Sequence, residues 1–152
     1  MFTVPLPRIG TWEAWRDAAR ALLAARVPPE QIVWDWDGTT SELFANDIPP
    51  PTTRKAIKVP ADFVQMAQWV VWHKDPQRFA RLYALLWRLR LEKGIMTDRA
   101  DAELSRLRQM EKAVHRCKHK MRAFVRFRDL RTGGARRSFA AWFEPTHHTV
   151  EP

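Results

Sequence analysis

The chain has 152 residues, 45% of them hydrophobic, and a formal net charge of +9, which fits one domain with a core of its own and a strongly basic surface. Its single cysteine, Cys117, excludes an internal disulfide and a Cys-rich zinc or iron–sulfur site. No apolar run approaches the ~20 residues that span a bilayer, so no membrane partner is expected.

The N-terminal Met1-Phe2-Thr3-Val4-Pro5 lacks the basic-then-apolar order of a signal peptide. With the lone cysteine, this gives the expectation of a cytoplasmic protein. Residues 11–26 predict an amphipathic helix. Trp12, Trp15, Ala19, Leu22 and Leu23 recur at helical spacing, and Thr11 is placed to cap them. Val27-Pro28-Pro29 ends it. Gln31 to Trp36 is rich in β-formers and reads as one short N-terminal strand.

The stretch 37–58 reads as an internal linker, with Pro49-Pro50-Pro51 and no periodicity. Residues 60–72 predict a largely buried helix. Asp75-Pro76, a cap followed by proline at the first helical position, restarts a helix that runs to about Leu91. Phe79, Leu82, Tyr83, Leu86 and Leu89 form its core stripe, while Arg78, Arg81 and Arg88 lie off it.

The next helix is expected over about 98–122. Leu104, Leu107, Val114, Cys117 and Met121 share one side. Arg108, Lys112, His115, Arg116, His119 and Arg122 fall opposite. Phe124 to Arg128 then alternates with period two, Thr132-Gly133-Gly134-Ala135 is a turn signal, and Phe139 to Phe143 returns. These features predict a C-terminal β-hairpin with its aromatic residues inward and Arg126 and Arg128 on the other face. The whole reads as a helix-dominated α+β fold, a single domain over 1–152.

Charge is distributed unevenly. Residues 1–53 balance to −3 and residues 54–152 to +12, and the window 106–137 alone holds 12 basic and 2 acidic side chains. Concentration on one segment is the footprint of a polyanionic partner, against the plainer reading of a solvated basic surface. Arg78, Arg108, Lys112, Arg116, His119, Lys120, Arg122, Arg126, Arg128, Arg136 and Arg137 are the candidate nucleic-acid contacts. Phe124 and Phe127 either stack on bases or, as is commoner, face the core.

Catalytic motifs are sparse. Asp35-Trp36-Asp37-Gly38-Thr39 after a short apolar strand resembles the first motif of haloacid-dehalogenase-type phosphatases, in which the first aspartate attacks phosphorus, the second handles protons and both help hold a magnesium ion. That fold needs several parallel β-α-β units. No second parallel strand and no Asp-Asp pair is visible, and Asp37-Gly38 reads equally as a turn. His115 and His119 have metal-ligand spacing, but Lys112, Arg116 and Arg122 surround them and disfavour a dication. No metal and no cofactor is expected. His147-His148 is either a ligand element or a polar tail.

Several segments together resemble a bacterial family described as DNA-metabolism and DNA-repair proteins. They are Trp15-Arg16 with Ala18-Ala19-Arg20, His73-Lys74-Asp75-Pro76 with Arg78-Phe79, and Leu85-Leu86-Trp87-Arg88-Leu89. His119 to Arg128, and Trp142-Phe143-Glu144-Pro145 with His147-His148, complete the set. Members are typically encoded beside a radical-SAM repair protein, and some are fused ahead of a uracil-DNA glycosylase-like domain. The family domain normally continues beyond the His-His element, whereas this sequence ends at Pro152. The resemblance implies DNA as a partner, together with a glycosylase-like or radical-SAM repair enzyme. It marks His73, Asp75, His119, His147 and His148 as candidate catalytic residues. The plainer readings are a helix cap for Asp75 and a buried structural histidine for His73. A DNA-binding accessory domain is the leading expectation. The alternatives are an enzyme acting on DNA or a nucleobase through the histidines, a basic protein–protein adaptor, and a phosphatase.

Overall fold

The computed structural model of the chain describes residues 1–36, 38, 58–130 and 137–148. It opens with a strand that the sequence pattern does not signal. β1 (Phe2–Leu6) lies parallel to β2 (Ile32–Trp36), in register from Phe2 opposite Ile32 to Leu6 opposite Trp36. Pro5 hides it, because proline argues against a strand. It is tolerated here since the sheet has two strands among the described residues and each is an edge. The expectation that no second parallel strand exists is therefore corrected. α1 (Thr11–Ala24) connects the pair, so the chain begins with one β-α-β unit.

Thr11 does not cap α1. Gly10 holds the cap position at φ 72°, a left-handed conformation that suits glycine. The buried Thr11 hydroxyl instead donates back to the carbonyls of Pro7 at 2.6 Å and Arg8 at 3.0 Å. A row of rings then ties α1 to the sheet and to α3 (Arg78–Arg88): Trp15 to Trp34 at 6.0 Å, and Trp34 to Tyr83 at 5.8 Å. The Tyr83 hydroxyl donates to Val27 O at 2.7 Å, and burial pushes its pKa up.

α2 (Ala61–Val70) packs along α4 (Ala102–Phe124), which buries Leu104, Leu107, Met110, Val114 and Cys117. Asp101 opens α4 by accepting from Leu104 N at 2.8 Å, and its other oxygen accepts from Arg88 at 2.6 Å. α3 becomes regular only at Arg78, three residues after Asp75. Asp75 Oδ1 accepts from Gln77 N at 2.8 Å across an intervening turn.

β3 (Arg128–Asp129) and β4 (Phe139–Ala140) form the expected C-terminal hairpin, joined also by Leu130 N to Ser138 O at 2.9 Å. The fold is thus a helix-dominated α+β arrangement with a C-terminal hairpin. The inward aromatic residues are not found. Phe124, Phe127, Phe139 and Trp142 are exposed, Phe127 by 73% and Trp142 by 85%. Two rungs of ladder have no facing layer here to bury them against. The turn at 132–135 and nearly all of the 37–58 linker lie outside the described residues. Gly38 is exposed at φ 67°, in keeping with a turn after β2.

Candidate functional site

Three of the four candidate catalytic histidines come together. His73 follows α2, and His147 and His148 lie 73 or more residues later. His147 and His73 stack with ring centroids 4.4 Å apart. The segment is tied down by His148 N donating to Trp72 O at 2.9 Å and by Lys74 N donating to His147 Nδ1 at 3.2 Å. The His148 ring packs 4.6 Å from Trp36, the last residue of β2. Trp36 was read from the sequence only as a strand residue. It stands where the two parallel strands end, and the carboxyl ends of parallel strands are where open α/β sheets hold ligands.

Arg78 joins this cluster and leaves the set of surface phosphate contacts. It is 3% exposed. Its Nε donates to Val71 O at 2.7 Å and its Nη1 to Asp75 O at 3.1 Å. The guanidinium carbon lies 4.7 Å from the Trp36 ring centroid and 4.1 Å from that of Phe79. Its Nη2 is buried without an acceptor, as is Trp36 Nε1. Burial lowers its pKa to about 10, against the pull of Asp75.

The imidazoles are held neutral. Burial first, then the His147, Arg78 and Lys74 charges, lower the His73 pKa to about 4, with Asp75 opposing. Burial and Lys74 depress His147, and burial and Arg78 depress His148. Asp75 N donates to His73 Nδ1 at 3.0 Å, so His73 and His147 both accept at Nδ1. A neutral imidazole that accepts at Nδ1 carries its proton on Nε2. The pair therefore offers two N–H donors rather than two lone pairs for a metal. Among the described residues no three His, Cys, Asp or Glu side chains are grouped for a metal ion.

Asp75 is not the cap of α3, whose cap position is Gln77; its oxygens accept from Gln77 N at 2.8 Å and pair with Arg106 at 3.2 Å. Burial alone would raise its pKa. The Gln77 N–H and the Arg106 side chain outweigh that and hold it below its usual value. His119 is exposed on α4 and enters none of these contacts, so of the four candidate catalytic histidines three gather. His115 instead stacks on Trp69 of α2 at 3.7 Å. Asp35 is buried beside Trp36, while Asp37, Thr39 and Thr40 lie outside the described residues.

The basic helix divides into two halves. Acidic partners hold its first half and its neighbours: Arg81 with Glu103, Arg88 with Glu92 and Asp101, and Arg108 with Glu111 at 3.1 Å. Arg108 is thus an ion-paired residue rather than a free phosphate contact. Lys112, Arg116, His119, Lys120, Arg122, Arg128 and Arg137 are exposed. Arg126 is exposed too and donates to Ala123 O at 3.0 Å, while Arg136 is not among the described residues. These cations share the end of α4 and the following arm with the exposed Phe124, Phe127, Phe139 and Trp142.

Together these features define a small α+β domain with a donor-lined histidine cluster at its sheet edge and a basic, aromatic-bearing arm. A family model for a domain of unknown function, DUF4130, matches residues 76–152, just over half of the chain, and the chain belongs to that family. The match takes in Arg78, α4, the arm and His147-His148; Trp36 and His73 precede it. No curated protein and no solved structure matches the chain.

Proposed function

We propose that this chain is a DNA-binding accessory domain of DNA repair, engaging DNA through the end of α4 and the arm that follows. The observation that carries the reading is the exposed set Phe124, Phe127, Phe139 and Trp142 among exposed Arg122, Arg126, Arg128 and Arg137. Rings without a core to fill offer their faces to unpaired bases, and the arginines neutralise the adjoining phosphates. Single-stranded DNA is the form this chemistry suits. The resemblance in the sequence supplies the partner, a uracil-DNA glycosylase-like or radical-SAM repair enzyme to which the domain presents the strand.

The test is a salt-titrated binding assay on single-stranded, duplex and uracil-containing DNA. Affinity is expected to fall with salt at a log–log slope of about −0.7 per phosphate contacted on single strands. A variant with Arg116, Lys120, Arg122 and Arg126 reversed to Glu is expected to lose binding. Equal binding by that variant, or no retention of DNA at low salt as for a protein adaptor, overturns the reading.

A second reading has its own observation, the gathering of His73, His147 and His148 at one sheet edge. It is an enzyme acting on DNA or a nucleobase through those rings. Incubation with uracil-containing and undamaged strands, followed by mass spectrometry, tests it, and unaltered strands overturn it.

A further inference from the structure

Two buried N–H donors at the end of β2 have no acceptor, and two imidazole N–H groups belong to the same side-chain cluster. Trp36 Nε1 and Arg78 Nη2 are buried and unpartnered, and the guanidinium carbon sits 4.7 Å from the Trp36 ring. His73 and His147, stacked 4.4 Å apart, each spend Nδ1 on a backbone N–H and so carry a proton on Nε2. The neighbouring carboxylate of Asp75 is taken, by Gln77 N at 2.8 Å and Arg106 at 3.2 Å. Leaving buried donors unpaired is costly, and each such group in a native fold calls for a missing partner. N–H donors with the positive charges of Arg78, Arg8 and Lys74 close by fit an anion and repel a metal ion.

We propose that Trp36, Arg78, His73 and His147 form an oxyanion site for a phosphate group, reached where the exposed His148 ring covers Trp36. The donors come from three chain segments, β2, residues 73–78 and the 147–148 pair, and a phosphate group has more acceptor oxygens to offer them than a carboxylate. The same group has two sources, a free phosphate compound or the terminal phosphate of a DNA strand. The site stands apart from the arm and does not rest on the DNA reading.

The test uses the full chain and the nitrogen NMR signals of its histidine rings during titration with inorganic phosphate, with chloride and zinc titrations alongside. His73 and His147 are expected to shift saturably with phosphate. Trp36→Phe keeps the ring and removes one donor, and is expected to weaken binding about fivefold. His147→Asn keeps an acceptor for Lys74 N and removes the Nε2 donor, and about tenfold weakening is expected. Circular dichroism confirms that each variant is folded, and Trp36→Phe alone decides the matter should the other fail to fold. Shifts no different from chloride, equal binding by folded variants, or zinc displacing the Nε2 proton each overturn the proposal. Displacement of phosphate by a 5′-phosphorylated oligonucleotide but not its 5′-hydroxyl form assigns the site to strand ends. Displacement by neither assigns it to free phosphate compounds. Retention of phosphate binding by the fourfold arm reversal separates this site from the DNA surface.

Discussion

The body of the molecule and its C-terminal arm are built from the same residue types and use them in opposite ways. Phe63 on α2 is 2% exposed, and Phe127 on the arm is 73% exposed. Arg78 is sealed against Trp36 and Phe79, while Arg126, Arg128 and Arg137 lie open. The difference is one of layers. A ring in the body has a helix or the sheet facing it, so the hydrophobic effect fixes it in place. A ring on the two-rung hairpin has no layer opposite it among the described residues, and its area stays available to another molecule. Composition alone does not separate core from contact surface.

The comparison breaks most directly at Phe63. Phe63→Ala is expected to cost about 3–5 kcal/mol, because the α1–α2–α3 core closes only partly over the void. Urea unfolding followed by circular dichroism measures it, and a cost below about 1 kcal/mol would show that the body is packed as loosely as the arm. Asp101→Ala comes next. It removes the cap on Leu104 N and the partner of Arg88, and is expected to cost about 1–2 kcal/mol by the same measurement.

The histidine cluster sharpens the comparison through pH. His73 has its pKa lowered in the fold from 6.5 to about 4, so between those values the unfolded chain binds a proton that the folded chain does not. Stability is then fully present above pH 6.5 and falls as pH drops toward 4. His147 and His148 act in the same direction. Allowing for solvent screening of partly exposed rings, the loss is expected to be about 1 kcal/mol. His73→Asn should flatten the pH dependence of the urea midpoint. An unchanged slope in that variant would mean that burial does not hold the ring neutral.

Much of the body was legible in the sequence, because helices announce themselves by period. Leu104, Leu107, Val114 and Cys117 are buried on α4 as their spacing predicts. The hairpin was legible from its alternation and its glycine turn. β1 was not, since Pro5 masks a five-residue strand that only its pairing with β2 reveals. The site was half legible. His73, Asp75 and His147-His148 could be singled out, but their meeting depends on contacts across 73 residues or more that no local pattern encodes. Trp36 was hidden inside a strand pattern. Arg78 was read as a surface charge because its offset from the core stripe does not show that Val71 O and Asp75 O receive it. The orientation of the arm was misread for a related reason. Alternation specifies two faces, but only a second layer decides which face is buried.

The smallest expected effect on stability is the most informative about the arm. Phe127→Ala removes a ring that contacts little of the body, so its cost should stay within about 0.5 kcal/mol, against several for Phe63→Ala. On single-stranded DNA the order reverses. If Phe127 stacks on a base, the same substitution weakens binding by about 1–3 kcal/mol while leaving the salt slope unchanged, since no phosphate contact is lost. Arg126→Glu should do the converse and reduce the slope. A Phe127→Ala variant that is as stable and binds as tightly as the parent would leave the exposed ring without a role in DNA binding. One that is destabilised as much as Phe63→Ala would mean that the arm folds back and buries the ring.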